Sequence, residues 1–146
     1  MENMKELILL KSGEMALKGL NRSYFEDTLI KNCRRRLEEL GKFHIYKSQS
    51  TIYVEPQSEE IDLDEAVDRL SRVFGIAALT RAAIVDKDFE DIKAKSPSYL
   101  AAWLDTAKTF KVEAKRSDKS FPMKSPELCR ELGAVLLEAF PHLVIG

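Results

Sequence analysis

Hydrophobic residues in the first half of the chain alternate between the spacing of strands and the spacing of helices. An unbroken apolar run from Leu7 to Leu10 is typical of a buried strand. Between Phe25 and Leu40, apolar residues recur every three or four positions, as they do on one face of a helix. The predicted elements are, in order, strand 5–11, helix 23–40, strands 43–46 and 51–54, helix 63–74 and strand 76–85.

The order β-α-β-β-α-β is the split arrangement of a ferredoxin-like domain. We therefore expect an α+β fold whose first domain occupies residues 1–76, with a last strand that extends to about residue 85. Cys33 lies within the apolar helical stripe, so it is expected to be a buried hydrophobic residue and not a reactive thiol. Phe74 is expected on the buried face of the second helix, which Gly75 would end.

The second half of the chain is predicted to form a partial α/β domain at residues 77–146, with a start near 60 on a sequence-profile definition. Its predicted elements are a short helix after Asp88, a helix starting at Ser96-Pro97, strand 109–115, a basic loop at 116–124, helix 125–140 and the beginning of a strand at 143–145. Trp103 and Phe121 are expected to pack against neighbouring side chains, not to stack on bases.

Charge is distributed unevenly along a chain whose net charge is only −1. From Lys11 to Arg36 there are seven basic and three acidic residues, and from Lys108 to Lys124 there are six basic and two acidic ones. The balancing carboxylates crowd between Glu55 and Glu65. This segregation permits a basic face on a nearly neutral protein, and a local field is what a polyanion experiences.

The sequence contains no recognisable catalytic motif. Phosphate-binding P-loop, G-x-S-x-G, H-E-x-x-H and C-x-x-C patterns are absent, and the two cysteines and two histidines have no metal-ligand spacing. We predict no catalytic residues and no metal site. No apolar run reaches the roughly 20 residues of a membrane span, and no secretory signal is present, so we expect a cytoplasmic protein that does not associate with membranes.

The stretch from Gly13 to Arg22 is the strongest candidate for binding in the first domain. It connects a predicted strand to a predicted helix, and such surface connections often display binding groups. Lys18 and Arg22 supply positive charge, while Gly13 and Gly19 allow a partner to approach the backbone closely. Glycine, lysine and arginine in a surface connection are weakly specific by themselves, but the continuous sequence of residues 13–22 is more informative.

Residues 13–26, GEMALKGLNRSYFE, resemble the N-terminal signature of the ThiI family of tRNA 4-thiouridine synthetases. Residues 110–128, FKVEAKRSDKSFPMKSPEL, are similar to the basic strand-loop-helix of a THUMP domain, and the helix end at residues 72–76 also fits. The resemblance covers nearly the whole chain. It implies a ferredoxin-like domain followed by a C-terminally truncated THUMP domain, and hence a fragment of a longer protein.

The resemblance further implies the tRNA-binding part of a tRNA sulfurtransferase, which serves tRNA thiolation and thiamine thiazole biosynthesis. In that family, ATP, Mg²⁺ and a cysteine desulfurase serve a catalytic domain with no matching positions here, so this chain alone is expected to hold no cofactor and to lack activity. We expect its two basic segments to lie on one side of the molecule and to grip the acceptor end. The implied RNA-binding residues are Lys18, Arg22, Lys111, Lys115, Arg116, Lys119 and Lys124.

Two other functions remain open at the level of sequence. The chain would also suit a stand-alone RNA-binding module that acts with a separate modification enzyme. Alternatively, a ferredoxin-like domain can serve dimerisation or small-molecule sensing, with its charges merely solvated. The basic 115–124 segment favours RNA over sensing, because a metabolite site needs a concave apolar pocket. An unfinished sheet edge would also suit a homodimer.

Overall fold

Two units, Met1–Ile84 and Val85–Gly146, make up the computed structural model of this chain. The structure describes residues 5–13 and 22–146. Each unit has its own sheet and its own hydrophobic cluster. Within the described residues, none of the helices combines the length and the apolar character needed to cross a membrane.

The first unit is a four-stranded antiparallel sheet in the order β2-β3-β1-β4. Its elements are β1 (Lys5–Ser12), α1 (Arg22–Leu37), a 3-10 turn (Glu38–Leu40), β2 (Phe43–Ser48), β3 (Thr51–Pro56), α2 (Leu63–Leu70) and β4 (Ile76–Ile84). The predicted β-α-β-β-α-β order is therefore confirmed. The sheet order places β1 and β3 at the centre, as a ferredoxin-like fold requires.

The core of the first unit lies between the sheet and the two helices. The stripe on α1 is buried as predicted, with Cys33 inaccessible to solvent. Burying one aliphatic side chain, such as that of Leu37, stabilises a fold by about 1.5–3 kcal/mol. The buried aliphatic residues therefore dominate the stability of the unit. The most completely buried large side chains are Ile8, Leu10, Leu37, Ile52, Leu70, Val54 and Cys33.

The end of α2 differs from the prediction. The helix stops at Leu70 instead of continuing to Phe74, and Phe74 is 85% exposed instead of buried. Asp62 caps the start of α2 by accepting a hydrogen bond from the Glu65 amide at 3.2 Å. Gly75 itself has a φ of +101°, a backbone conformation that residues with a Cβ rarely adopt. The early stop therefore turns Phe74 away from the core.

The second unit contains α3 (Phe89–Leu104), β5 (Thr109–Phe110), α4 (Ser125–Ala139) and β6 (Val144–Ile145). The two short strands pair in parallel. Leu136, Phe140 and Leu143 form the buried centre, against which side chains from α3 pack.

One continuous helix replaces the two that were predicted around Ser96-Pro97. Pro97 lies inside α3 and lacks the amide that would bond to the carbonyl four residues earlier. Next to the proline, Ser96 Oγ donates to the carbonyl oxygen of Ile92 at 2.5 Å and adds a hydrogen bond to this part of the helix. Asp88 caps the start of α3, and its carboxylate accepts from the Glu90 amide at 3.4 Å.

Other details of the second unit also depart from the sequence-based expectation. The strand predicted over 109–115 is only two residues long, and an extended segment without regular structure follows it. Trp103 is 52% exposed, so it is not a core residue, and its ring lies beside that of Tyr99 with centroids 5.6 Å apart. Phe121 is buried, as predicted.

Candidate nucleic-acid interface

Residues 116–124, which we call the basic loop, connect the extended segment after β5 to α4. The loop is closed from within by two hydrogen bonds to Phe121. Arg116 Nη1 donates to the Phe121 carbonyl oxygen at 3.0 Å, and the Phe121 amide donates to the Asp118 carbonyl oxygen at 3.1 Å. The Phe121 side chain is only 9% exposed, so it anchors the loop to the body of the unit.

Asp118 organises the middle of the basic loop. Its carboxylate accepts from the amide of Ser120 at 2.9 Å and from Ser120 Oγ at 2.6 Å. The ammonium of Lys87 lies 2.6 Å from the same carboxylate. The Lys87 contact first, and then the Ser120 bonds, hold the pKa of Asp118 well below its ordinary value. The negative charge of the loop is therefore already paired within the unit.

The five cations of the second unit that are predicted to bind RNA have different surroundings. Lys119 and Lys124 are exposed, and their side chains contact no hydrogen-bonding or charged partner among the described residues. Lys115 is exposed just before Arg116, which is half-buried because it holds the loop closed. Lys111 lies 3.8 Å from the Glu113 carboxylate. Of the five predicted cations in this unit, Lys119 and Lys124 are thus the best placed to meet an external anion.

The basic loop leads directly into the N-terminus of α4. Lys124 is the N-cap residue and makes no side-chain capping bond, and Pro126 follows in the first turn. First-turn amides of a helix have no partner within the helix, and the dipole adds partial positive charge there. Combined with Lys119 and Lys124, this end of α4 suits a phosphate oxygen.

The predicted site residues of the first unit are only partly described. Lys18 lies outside the described residues. Arg22 begins α1, but its side chain lies outside the description. The amide of Gly13 donates to the Gly75 carbonyl oxygen at 2.9 Å, which ties the start of the candidate stretch to the start of β4. That the two basic segments share one side of the molecule stays a prediction.

Sequence reasoning missed a set of cations around a groove at the end of α1. The implied RNA-binding residues do not include Lys31, Arg34 and Arg35, although their helical spacing places them on one face. Lys42 and His44, which follow in β2 and the turn before it, complete the set. The pairing of a helix face with a strand end depends on the tertiary fold.

The described residues contain no group of three or more His, Cys, Asp or Glu side chains able to hold a metal ion. Burial raises the pKa of the Cys33 thiol from 9.0 to about 12, which keeps it protonated and unreactive. A ring nitrogen of His142 lies 2.9 Å from the Leu104 carbonyl oxygen.

Comparison with known proteins gives two family matches along the chain. Residues 7–80 match the ThiI ferredoxin-like domain, and residues 86–144 match the THUMP domain. The structure divides between the same regions, after Ile84.

Curated relatives include a probable tRNA sulfurtransferase of Acetivibrio thermocellus, 47% identical over 144 residues, and one of Caldanaerobacter subterraneus, 43% identical over 142 residues. Each alignment covers 97% of this chain but only 37% and 36% of the respective relative. The chain thus spans little more than a third of the length of these relatives.

Two solved structures share the fold. One is a 4-thiouridine synthetase in complex with RNA and bound ATP, with a TM-score of 0.77 and 29% identity over 97% of this chain and 35% of that one. The other is PH1313 from Pyrococcus horikoshii, with a TM-score of 0.76 and 27% identity over 97% of this chain and 47% of that one. With the first family match covering half of its residues, this chain belongs to the ThiI ferredoxin-like domain family, and a THUMP domain follows that domain.

Proposed function

We propose that this chain is the tRNA-binding, N-terminal part of a tRNA sulfurtransferase. The observation that carries the proposal is the alignment of 97% of the chain with proteins named as probable tRNA sulfurtransferases. The unpaired cations of the basic loop lie within the THUMP match, at residues 86–144, and give the proposal a physical basis.

The proposed binding is electrostatic. Lys115, Lys119 and Lys124 would neutralise phosphates of the tRNA and release counterions, so the affinity would fall steeply with salt. Contacts of this kind follow the shape and backbone of A-form RNA and not its base edges. Internal bonds hold the loop in place before the RNA arrives, which lowers the entropy lost on binding.

We also propose that the complete protein is an ATP- and Mg²⁺-dependent sulfurtransferase that receives sulfur from a cysteine desulfurase and serves thiamine biosynthesis. ATP and Mg²⁺ belong to that activity of the complete protein, and we propose no site for either among the residues of this chain. We therefore assign this chain the holding of tRNA and no chemical step. A cytoplasmic location and a homodimer belong to the same proposal.

The test is a filter-binding titration of tRNA against this chain at several salt concentrations. We expect log affinity to fall linearly with log salt concentration. The double variant K119A/K124A removes two exposed cations that have no partner among the described residues, so it should bind several-fold more weakly at low salt and show a shallower salt slope.

The matched control is R72A/K93A, which removes the same charge from ion pairs with Asp68 at 2.9 Å and Glu90 at 3.1 Å. The control should bind nearly as well as the parent chain. Equal losses in the two double variants would mean that net charge, and not the basic loop, governs binding. No salt-sensitive binding by the parent chain would overturn the proposed function.

A further inference from the structure

The first unit has a groove of about 600 Å³ between the end of α1 and the beginning of β2. The groove is open to solvent and has charged side chains beside apolar ones, unlike the enclosed apolar pockets that hold small metabolites. Its charged and ionisable lining residues are Lys31, Arg34, Arg35, Glu38, Lys42 and His44.

The charge of the groove is strongly unbalanced. Among the described lining residues, four side chains are permanent cations and Glu38 is the one carboxylate. Four like charges facing one concavity repel each other in the free protein, and bound anions relieve that repulsion. The charge therefore favours an anionic occupant.

These four cations also lack partners inside the protein. None of their side chains forms a hydrogen bond or ion pair with another described residue. Several other cations of the same unit are paired, among them Lys47 with Asp27 at 3.4 Å and Arg72 with Asp68 at 2.9 Å. The groove gathers four cations without such a partner into one concavity.

The helix dipole explains only part of this arrangement. Arg34 and Arg35 lie in the last turn of α1, where the helix dipole stabilises positive charge. Lys31 lies one turn earlier and Lys42 lies beyond the helix, so the dipole effect does not account for them.

The spacing of the cations suits a chain of phosphates. Lys31 and the Arg34–Arg35 pair are one helical turn apart, about 5 Å along the axis. Lys42 and His44 line the same groove from the segment before β2 and from β2 itself. Basic side chains from two elements along an open groove match a linear polyanion better than a single small anion, which would need only one convergent cluster.

We propose that this groove is a second RNA-binding surface, which holds the sugar-phosphate backbone of the tRNA independently of the basic loop. The inference rests on the proposed function and adds a binding site formed by α1 and β2. Arg34 and Arg35 would donate paired hydrogen bonds to phosphate oxygens, and Lys31 and Lys42 would act as point charges.

The first test compares the variant R34Q/R35Q with the parent chain in the same titration. Glutamine keeps the helix propensity and removes two charges. Each phosphate contact contributes about 0.7–0.9 to the salt slope, so the slope should fall by about one to two, with at least a tenfold loss of affinity near 0.1 M salt. R34K/R35K keeps the charge but loses the paired hydrogen bonds, so it should keep the parent's salt slope and lose less affinity than R34Q/R35Q.

The control for this test is R72Q/K93Q, which lowers the charge equally by breaking ion pairs outside the groove. It should bind like the parent. Suppose that the parent chain binds tRNA and that K119A/K124A weakens the binding, but that R34Q/R35Q behaves like the control. RNA binding by the groove is then overturned, and the proposed function survives. If the parent chain shows no salt-sensitive binding, both proposals fall together.

A second test needs no variant. Acetylation of lysines in the parent chain, with and without saturating tRNA, should show protection of Lys31 and Lys42. Lys93, which is paired with Glu90, serves as the internal control and should be modified equally in both samples. Equal modification of Lys31 and Lys42 with and without bound tRNA would overturn the groove. Protection by polyglutamate but not by tRNA would assign the groove to an acidic protein partner and overturn it also.

Discussion

The guanidinium of Arg116 donates to the carbonyl oxygen of Phe121 at 3.0 Å and closes the basic loop around a buried ring. A residue predicted only as an RNA contact thus also has a structural role. Because Arg116 carries both a structural hydrogen bond and a positive charge, two different substitutions can test the geometry of the loop and its charge separately.

Arg116→Ala is expected to lower the free energy of unfolding by about 1–3 kcal/mol, because the Phe121 carbonyl loses its donor beside a buried side chain. Arg116→Gln removes the charge but retains an N–H donor, so it should be less destabilising while weakening tRNA binding. Urea denaturation and tRNA titration of both variants check this. Equal stability of the two variants would contradict a structural role for the hydrogen bond.

Gly75→Ala should destabilise the first unit by at least about 1 kcal/mol. Gly75 has φ of +101°, and an added Cβ would lie 2.9 Å from Phe25 Cζ. The matched control is Gly133→Ala in α4, where the nearest atom to an added Cβ is Val112 Cγ2 at 4.0 Å. Because alanine favours helices, that change should stabilise by about 0.5–1 kcal/mol. Thermal unfolding of both variants tests the opposite signs.

Asp118→Asn should reduce stability at pH 7 and have little effect in strong acid. Lys87 and Ser120 lower the pKa of the folded Asp118 carboxyl below its ordinary value of 3.8. Its contribution is therefore present above pH 3.8 and is lost as the pH falls toward the lowered pKa. Unfolding midpoints of parent and variant, measured from pH 7 downward, should converge. Glu131→Gln, on the exposed surface of α4, should show no such convergence.

Cys33 should resist thiol reagents in the folded protein. Burial raises its pKa from 9.0 to about 12, so almost no thiolate exists near pH 8. Cys129 is only partly buried and should react first. Counting reactive thiols in native and denatured samples of the parent and of Cys129→Ser checks this. Rapid labelling of native Cys129→Ser would contradict the buried position of Cys33.

Much of the first unit could be predicted from sequence because its signals are local. The helical stripe from Leu29 to Leu37 and the short alternating strands each follow from spacing within one element. The β-α-β-β-α-β order then leaves few alternatives, since connections are short.

The errors occurred where distant parts of the chain decide the outcome. The Ser96-Pro97 pair locally predicts a helix start, yet α3 continues through it, and its later residues Leu100 and Leu104 pack against the core of the second unit. The strand predicted at 109–115 requires a pairing partner, and only Thr109 and Phe110 find one, in β6. Phe74 is exposed because α2 ends four residues early.

The sequence by itself determined the order of elements in the first unit, the buried face of α1 and the basic character of the 115–124 segment. Only the tertiary structure decided which cations are available for binding. Arg116 and Lys111 have internal partners, whereas Lys119, Lys124 and the four cations of the groove have none among the described residues. The physical reason is that the sequence gives the charge of each segment directly, whereas ion pairing depends on residues that folding brings together.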